Sequence, residues 1–322
     1  MTPRNSMLGL CLTLGAVFLS PAASALTVYT AGPAGLAKQL ADDFKKSTGI
    51  TVDVFQADTG KVMARLEAEA GNPRADIVIS ASWDSALDLD KRGWLLPYVS
   101  PNAATVPAAY KGPSYVAQGL SALAIVWNTQ SGTPRPKDWS DLTLPAFKDK
   151  VNMPDPAQSG TALELLSGLQ AAQNDTAWKL FSALKANGMA IAGPNAQAMN
   201  PVLQGAKAAV FGAVDYVALG SQASGEAIEV IFPSSGTVIA ARPMMILKSS
   251  QSAADAKRFI DFVLSNEGQA RVAATFLIPA RTDVPSRRAG VKDIKALPAE
   301  NETDRAGRQA LLERFSTLYQ RK

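Results

Sequence analysis

Strand-like and helix-like segments alternate three times between residues 26 and 93, which restricts the chain to layered α/β architectures with a largely parallel sheet. Residues 26–30 (LTVYT) are an apolar run of strand length. Leu36, Leu40 and Phe44 then recur at helical spacing, and Gly49 stands where a left-handed cap would end that helix. Residues 51–56 give a second strand. Val62, Met63, Leu66 and Ala70 mark a second helix, closed by Gly71-Asn72-Pro73. Residues 76–80 (DIVIS) are a third strand, apolar enough to be fully buried, and residues 83–90 form a helix stopped by Gly93. Each loop from strand to helix falls at a strand's carboxyl end, the edge of an open α/β sheet where ligands bind. Thr30 and Ala31 lie on the first loop, Thr59 and Gly60 on the second, and Ser82 and Trp83 on the third. Small hydroxyl residues there suit hydrogen bonding to an oxyanion, and equally suit ordinary turn and cap chemistry.

Residues 1–25 read as a cleaved secretory signal. Arg4 supplies a positive start, residues 7–19 an apolar stretch, and Ala23-Ser24-Ala25 a small-x-small cleavage site. The stretch is short for a membrane span, which needs about 20 residues. Cys11, the single cysteine, lies inside it after Leu10, where a lipoprotein signal wants a small residue. The mature chain is expected to be soluble and exported to the periplasm. It contains neither His nor Cys, so disulfides, thiol catalysis and imidazole chemistry are closed to it. Without Arg4 it has 31 basic against 28 acidic residues, a formal charge of +3. The basic residues are scattered, with Arg287-Arg288 as a late pair, so no nucleic-acid stripe is present.

Residues 118–128 (QGLSALAIVWN) form a long extended run suited to a strand crossing between two lobes. A second strand-and-helix unit follows. Residues 151–153, 208–211, 229–232 and 243–247 read as strands. Ser159-Gly160-Thr161 opens a helix, and residues 177–186 and 254–264 are helical, the latter with Ala256, Phe259, Ile260 and Val263 on one face. Leu311, Leu312, Phe315, Leu318 and Tyr319 line a helix at the C-terminus.

The order of these segments, with LTVYTAG, STGI, RADIVIS, KRGWLLPY and LKSSQSAADAKRFIDFVLSNEGQ, resembles the periplasmic solute-binding proteins of ABC importers. Within them it resembles the ferric-iron-type branch, and most of all its phosphonate-binding members. The final stretch, a Lys-Ser-Ser turn before a helix closing on Asn-Glu-Gly-Gln, is the most specific piece. The resemblance implies a type II-like two-lobed α/β fold with a hinge and a ligand cleft between the lobes. Residues 26–122 and 242–285 would form the first lobe, and residues 123–241 and 286–322 the second, with the C-terminal helix. It implies a monomeric, non-enzymatic protein without cofactor or metal. Its partners would be a small ligand and an inner-membrane ABC permease.

Iron-binding members of that branch hold the metal on adjacent tyrosines, helped by His and Glu. Here the tyrosine pair falls on Val214 and Asp215, with Tyr216 next to them. The glutamate position falls near Ala81, and no His exists. Ferric iron wants hard anionic oxygen donors, and this set is poor. The anion half of that site persists as Ser159-Gly160-Thr161 at a helix N-terminus and Asn195 on a later loop. Free N–H groups and the helix dipole favour an anion there; Ser159 as a simple N-cap is the alternative. Asp215 follows an apolar run and must find a cationic or hydrogen-bonded partner. That partner is either a local Lys or Arg, or the ammonium of a ligand flanked by Tyr216 and Trp83. The resulting expectation is a phosphonate zwitterion such as 2-aminoethylphosphonate. Ferric iron is the alternative, then a polyamine or thiamine. An enzyme on a Ser–Lys or two-carboxylate mechanism has no motif to support it.

Overall fold

The computed structural model describes residues 25–297 and 305–319. The expected secretory signal, apart from Ala25, lies outside the described residues. The alternation read from the sequence is present. In chain order the elements are β1 (Leu26–Thr30), α1 (Ala34–Thr48), β2 (Val52–Gln56), α2 (Thr59–Ala68), β3 (Ile77–Ile79) and α3 (Trp83–Lys91). There follow β4 (Tyr115–Asn128), β5 (Val151–Pro154), α4 (Gly160–Gln173), α5 (Asp175–Ala186), β6 (Ala190–Ala192), α6 (Asn195–Leu203), β7 (Ala209–Val214), α7 (Asp215–Ala223) and β8 (Ile228–Ile231). The chain closes with β9 (Ile239–Ile246), α8 (Ala253–Val263), α9 (Asn266–Ala274), β10 (Ile278–Pro279) and α10 (Arg305–Tyr319).

Helix limits follow local chemistry. Gly49 ends α1 at φ 77°, a conformation that costs a residue with a Cβ, and its N–H donates to the Lys45 carbonyl. Asp58 caps α2, accepting from the Lys61 N–H at 2.8 Å. The predicted apolar face of α8 is the buried one, through Ala256, Phe259, Ile260 and Val263. One sequence reading is corrected here. Asn266-Glu267-Gly268-Gln269 does not close α8 but opens α9, because Ser265 caps a new helix by accepting from the Gly268 N–H.

β1 lies parallel to both β2 and β3, and β3 is antiparallel to β9. In the second half β5 runs parallel to β6 and β7. The strand joining the halves is β4. Its residues 115–122 pair with β9, and residues 123–128 pair with β7 and β8. The apolar cores part at the same place. Ala122 packs in a cluster with Leu26, Leu40, Phe44, Ile77 and Phe259, whereas Leu123 packs with Trp139, Leu165, Phe181 and Phe211. The two lobes thus have separate cores and share the long buried strand β4. After residue 285 the chain touches both cores: Val291 and Ile294 pack on the first, the Lys295 carbonyl accepts from the Thr237 N–H, and Leu297 and the buried Phe315 of α10 pack on the second.

Candidate functional site

The loops after β2, β3 and β5 meet at the junction of the lobes, and the helices after them begin there. On the first loop, Thr30 is buried and its hydroxyl accepts from the Gly32 N–H at 2.9 Å, which is turn chemistry. Helix α1 then starts after Pro33 with no side-chain cap. On the second loop, Thr59 is the first residue of α2. On the third, Ser82 precedes α3 without capping it.

The second lobe answers with a compact polar cluster. The Ser159 hydroxyl caps α4 by accepting from the Ala162 N–H at 3.2 Å. It also donates to Asn195 Oδ1 at 3.1 Å and lies 3.0 Å from the Thr161 hydroxyl. Asn195 Nδ2 donates to Thr161 Oγ1 at 3.4 Å. Ser159, Thr161 and Asn195, expected together from sequence, are therefore brought together. Asn195 is not on a loop, however; it is the first residue of α6, so two helix N-termini converge on the cluster.

The lobes touch at Gly160. A Cβ built there would lie 2.8 Å from Thr59 Oγ1 and 3.1 Å from Ser82 Cβ, so only glycine allows this approach. One turn later Glu164 reaches across to the first lobe. Its Oε1 accepts from the Ser82 hydroxyl at 2.7 Å and from the Trp83 N–H at 2.8 Å, capping α3 from the opposite lobe. Burial, with the neighbouring Asp84 carboxylate, pushes the Glu164 carboxyl up to about 7. Arg308 of α10 spans the same junction, 3.6 Å from Asp84 and 3.5 Å from Asp88. A cavity of about 330 Å³ follows this contact, lined among others by Thr59, Ser82, Asp84, Gly160 and Arg308.

Because the Glu164 carboxyl titrates higher in the fold than in the unfolded chain, its favourable contribution is complete below about pH 4.5. That contribution is lost as pH rises through about 7. Glu164→Gln keeps the acceptor and removes the charge. The variant is expected to gain stability relative to the parent as pH rises from about 5 to about 8. Thermal melts of both proteins across that range check this, and parallel pH curves would contradict it.

Behind this contact lies the hinge. Asp215, fully buried, opens α7; its Oδ2 accepts from the Ala122 N–H of β4 at 2.7 Å and forms an ion pair with Arg288. Burial pushes the Asp215 carboxyl up to about 6, against the pull of Arg288 and the amide. Of the two partners the sequence left open, the structure supplies the protein's own arginine. Among the described residues Asp215 Oδ1 nevertheless has no hydrogen-bond partner, and neither has Arg288 Nη2. Tyr216 stands beside a second buried arginine, Arg242, whose guanidinium lies 5.8 Å from the ring centroid and donates to the Ala31 carbonyl. Trp83 is placed differently from the sequence reading: its ring meets Tyr115 edge-on at 5.2 Å, on the side of Glu164.

Four residues at this site were missed from sequence: Gln118, Glu164, Arg242 and Arg288. Arg288 was half of an apparently exposed basic pair. Arg242, a lone cation inside the apolar run IAARPMMI, carried a signal that only strand pairing turns into burial.

Against known proteins, residues 72–300 match the family described as bacterial extracellular solute-binding protein. The chain belongs to that family. It is a periplasmic substrate-binding protein of an ABC transporter, a carrier and not an enzyme, and its partners are a small molecule and a membrane permease. A Salmonella typhimurium protein provisionally named a 2-aminoethylphosphonate-binding periplasmic protein is 26% identical over 254 residues, covering 76% of this chain and 73% of that one. The major ferric iron-binding protein of Neisseria meningitidis is 26% identical over 283 residues, 84% of each chain. The fold matches the periplasmic binding protein AfuA of Actinobacillus pleuropneumoniae, solved with fructose-6-phosphate, at a TM-score of 0.84 and 22% identity. That match covers 92% of this chain and 98% of AfuA.

Proposed function

We propose that this binding protein captures a small phosphonate zwitterion, of which 2-aminoethylphosphonate is the type compound, and presents it to its permease. The observation that carries the reading is the cluster of Ser159, Thr161 and Asn195 at two converging helix N-termini. Neutral donors at helix dipoles suit a tetrahedral oxyanion. Gly160, Thr59 and Ser82 close over that position from the junction of the lobes. The unpartnered Oδ1 of Asp215 is the acceptor for the ammonium, with Tyr216 beside it. The name of the Salmonella relative supports the same ligand class. Iron is less well served. Tyr216 is one phenol without a tyrosine neighbour.

Thermal unfolding with 2-aminoethylphosphonate, ethylphosphonate, phosphate, putrescine and ferric citrate tests the reading. A ligand at a hundred times its dissociation constant adds about 2.7 kcal/mol, a clear upward shift. The expected order is 2-aminoethylphosphonate well above ethylphosphonate, with nothing from putrescine. A shift from ferric citrate alone, with visible colour, would replace this reading by iron.

A further inference from the structure

We propose that Arg242 and Gln118 form an oxyanion subsite on the first lobe, so that the captured anion is held by formal charge from one lobe and by neutral donors from the other. This rests on the reading that the cleft holds a small anionic solute, and it assigns the residue that selects the charge.

Arg242 is among the largest fully buried side chains, at 1% exposure in the interior of β9. A guanidinium has five N–H donors and stays protonated in proteins. Among the described residues this one makes a single hydrogen bond, from Nη2 to the Ala31 carbonyl at 2.5 Å, and its Nε has no partner. No carboxylate forms an ion pair with it among the described residues; its other contact is the face of Tyr216. A buried cation without a counter-charge is strongly unfavourable, and arginine cannot escape by losing its proton.

Gln118, 2% exposed, has the matching defect, because its Oε1 is buried without a donor. The two side chains meet at the same loop. A Cβ built on Gly32 would lie 3.9 Å from Arg242 Nη2 and 4.0 Å from Gln118 Oε1. That loop runs into the uncapped N-terminus of α1. An unpaired donor and an unpaired acceptor therefore stand at a sheet edge where a helix begins. A protonated phosphonate or phosphate oxygen satisfies Gln118, and an ionised one satisfies Arg242 in the bidentate manner open to arginine. The subsite rejects polyamines and other cations by like charge. It also gives closure a cause, since the anion is the counter-charge the first lobe lacks.

Arg242→Met and Arg242→Lys test this by thermal unfolding and calorimetry of the purified protein. The probes are 2-aminoethylphosphonate, inorganic phosphate, sulfate and putrescine. In Arg242→Met the anion-dependent shift is expected to disappear, with affinity reduced at least 100-fold. The unliganded variant is expected to melt at or above the parent, because an uncompensated charge has been removed. Arg242→Lys, which keeps charge without the fork, is expected to bind at least tenfold more weakly. Parental affinity in either variant overturns the subsite. So does an Arg242→Met protein that melts below the parent and still binds anions, which would make Arg242 a strut for Ala31. Should Arg242→Met fail to fold, Arg242→Lys decides alone. A shift with phosphate that Arg242→Met abolishes, without one for 2-aminoethylphosphonate, upholds the subsite and overturns the aminophosphonate reading. No shift with any anion overturns both.

Discussion

Arg288→Ala is expected to lower the melting temperature by about 10 °C at pH 7, the largest stability effect of any single change near the site. Arg288 and Asp215 are 3% and 0% exposed in their side chains, and each is the other's only ion-pair partner among the described residues. Removing the arginine leaves a buried carboxylate with the Ala122 amide alone. Breaking such a pair costs about 3–5 kcal/mol, mostly as desolvation of the orphaned charge. The pair also joins segments far apart in sequence, since Asp215 holds the Ala122 amide at the point where β4 changes lobes. The loss should depend on pH. Without Arg288 the Asp215 carboxyl titrates higher still in the fold, so the variant's deficit shrinks as pH falls toward 5 and grows as pH rises. Replacing both residues by apolar ones is expected to recover most of the stability. A single variant that melts within about 2 °C of the parent, well short of the expected loss, would show that the pair contributes little.

The contrast between Asp215 and Arg288 shows what a sequence can and cannot convey about this site. An acid after the seven-residue apolar run 208–214 announces a buried charge, and the need for a cation follows from electrostatics alone. Which cation supplies it depends on a chain crossing 73 residues later, and no local pattern records that. The elements show the same division. Helices with a regular apolar stripe, such as α1, which also has its capping glycine, and α8, were legible, as was the long strand β4. Helices α6 and α7 were not. α6 carries Pro201 inside it, and α7 follows β7 without any side-chain cap to mark its start. Residues that act across the junction were the least legible. Glu164 looks like one polar position on a mostly buried helix until α3 is laid against it. Ser159 and Thr161 were legible because a helix N-terminus is a local feature, whereas Asn195 came from the resemblance alone and was expected on a loop rather than at the start of α6.

Closure around the ligand is the central claim, and Gly160 is where it is most exposed to test. Gly160 belongs to the second lobe, while Thr59, Ala81 and Ser82, which a Cβ there would meet at 2.8–3.2 Å, belong to the first. Valine at this position does not strain its own helix, because it is the first residue of α4 and its backbone is not left-handed. It has to push the lobes apart instead. Each lobe has its own core, so the variant should remain folded with the cleft wedged open. The measurement is a calorimetric titration of 2-aminoethylphosphonate into the parent and into Gly160→Val, side by side. Micromolar or tighter binding to the parent is expected, with at least 100-fold weaker binding to the variant, whose unliganded melt is little changed. Equal affinity in the two proteins would mean that the ligand does not lie between the closing lobes, and no heat with the parent would mean that the solute is something else.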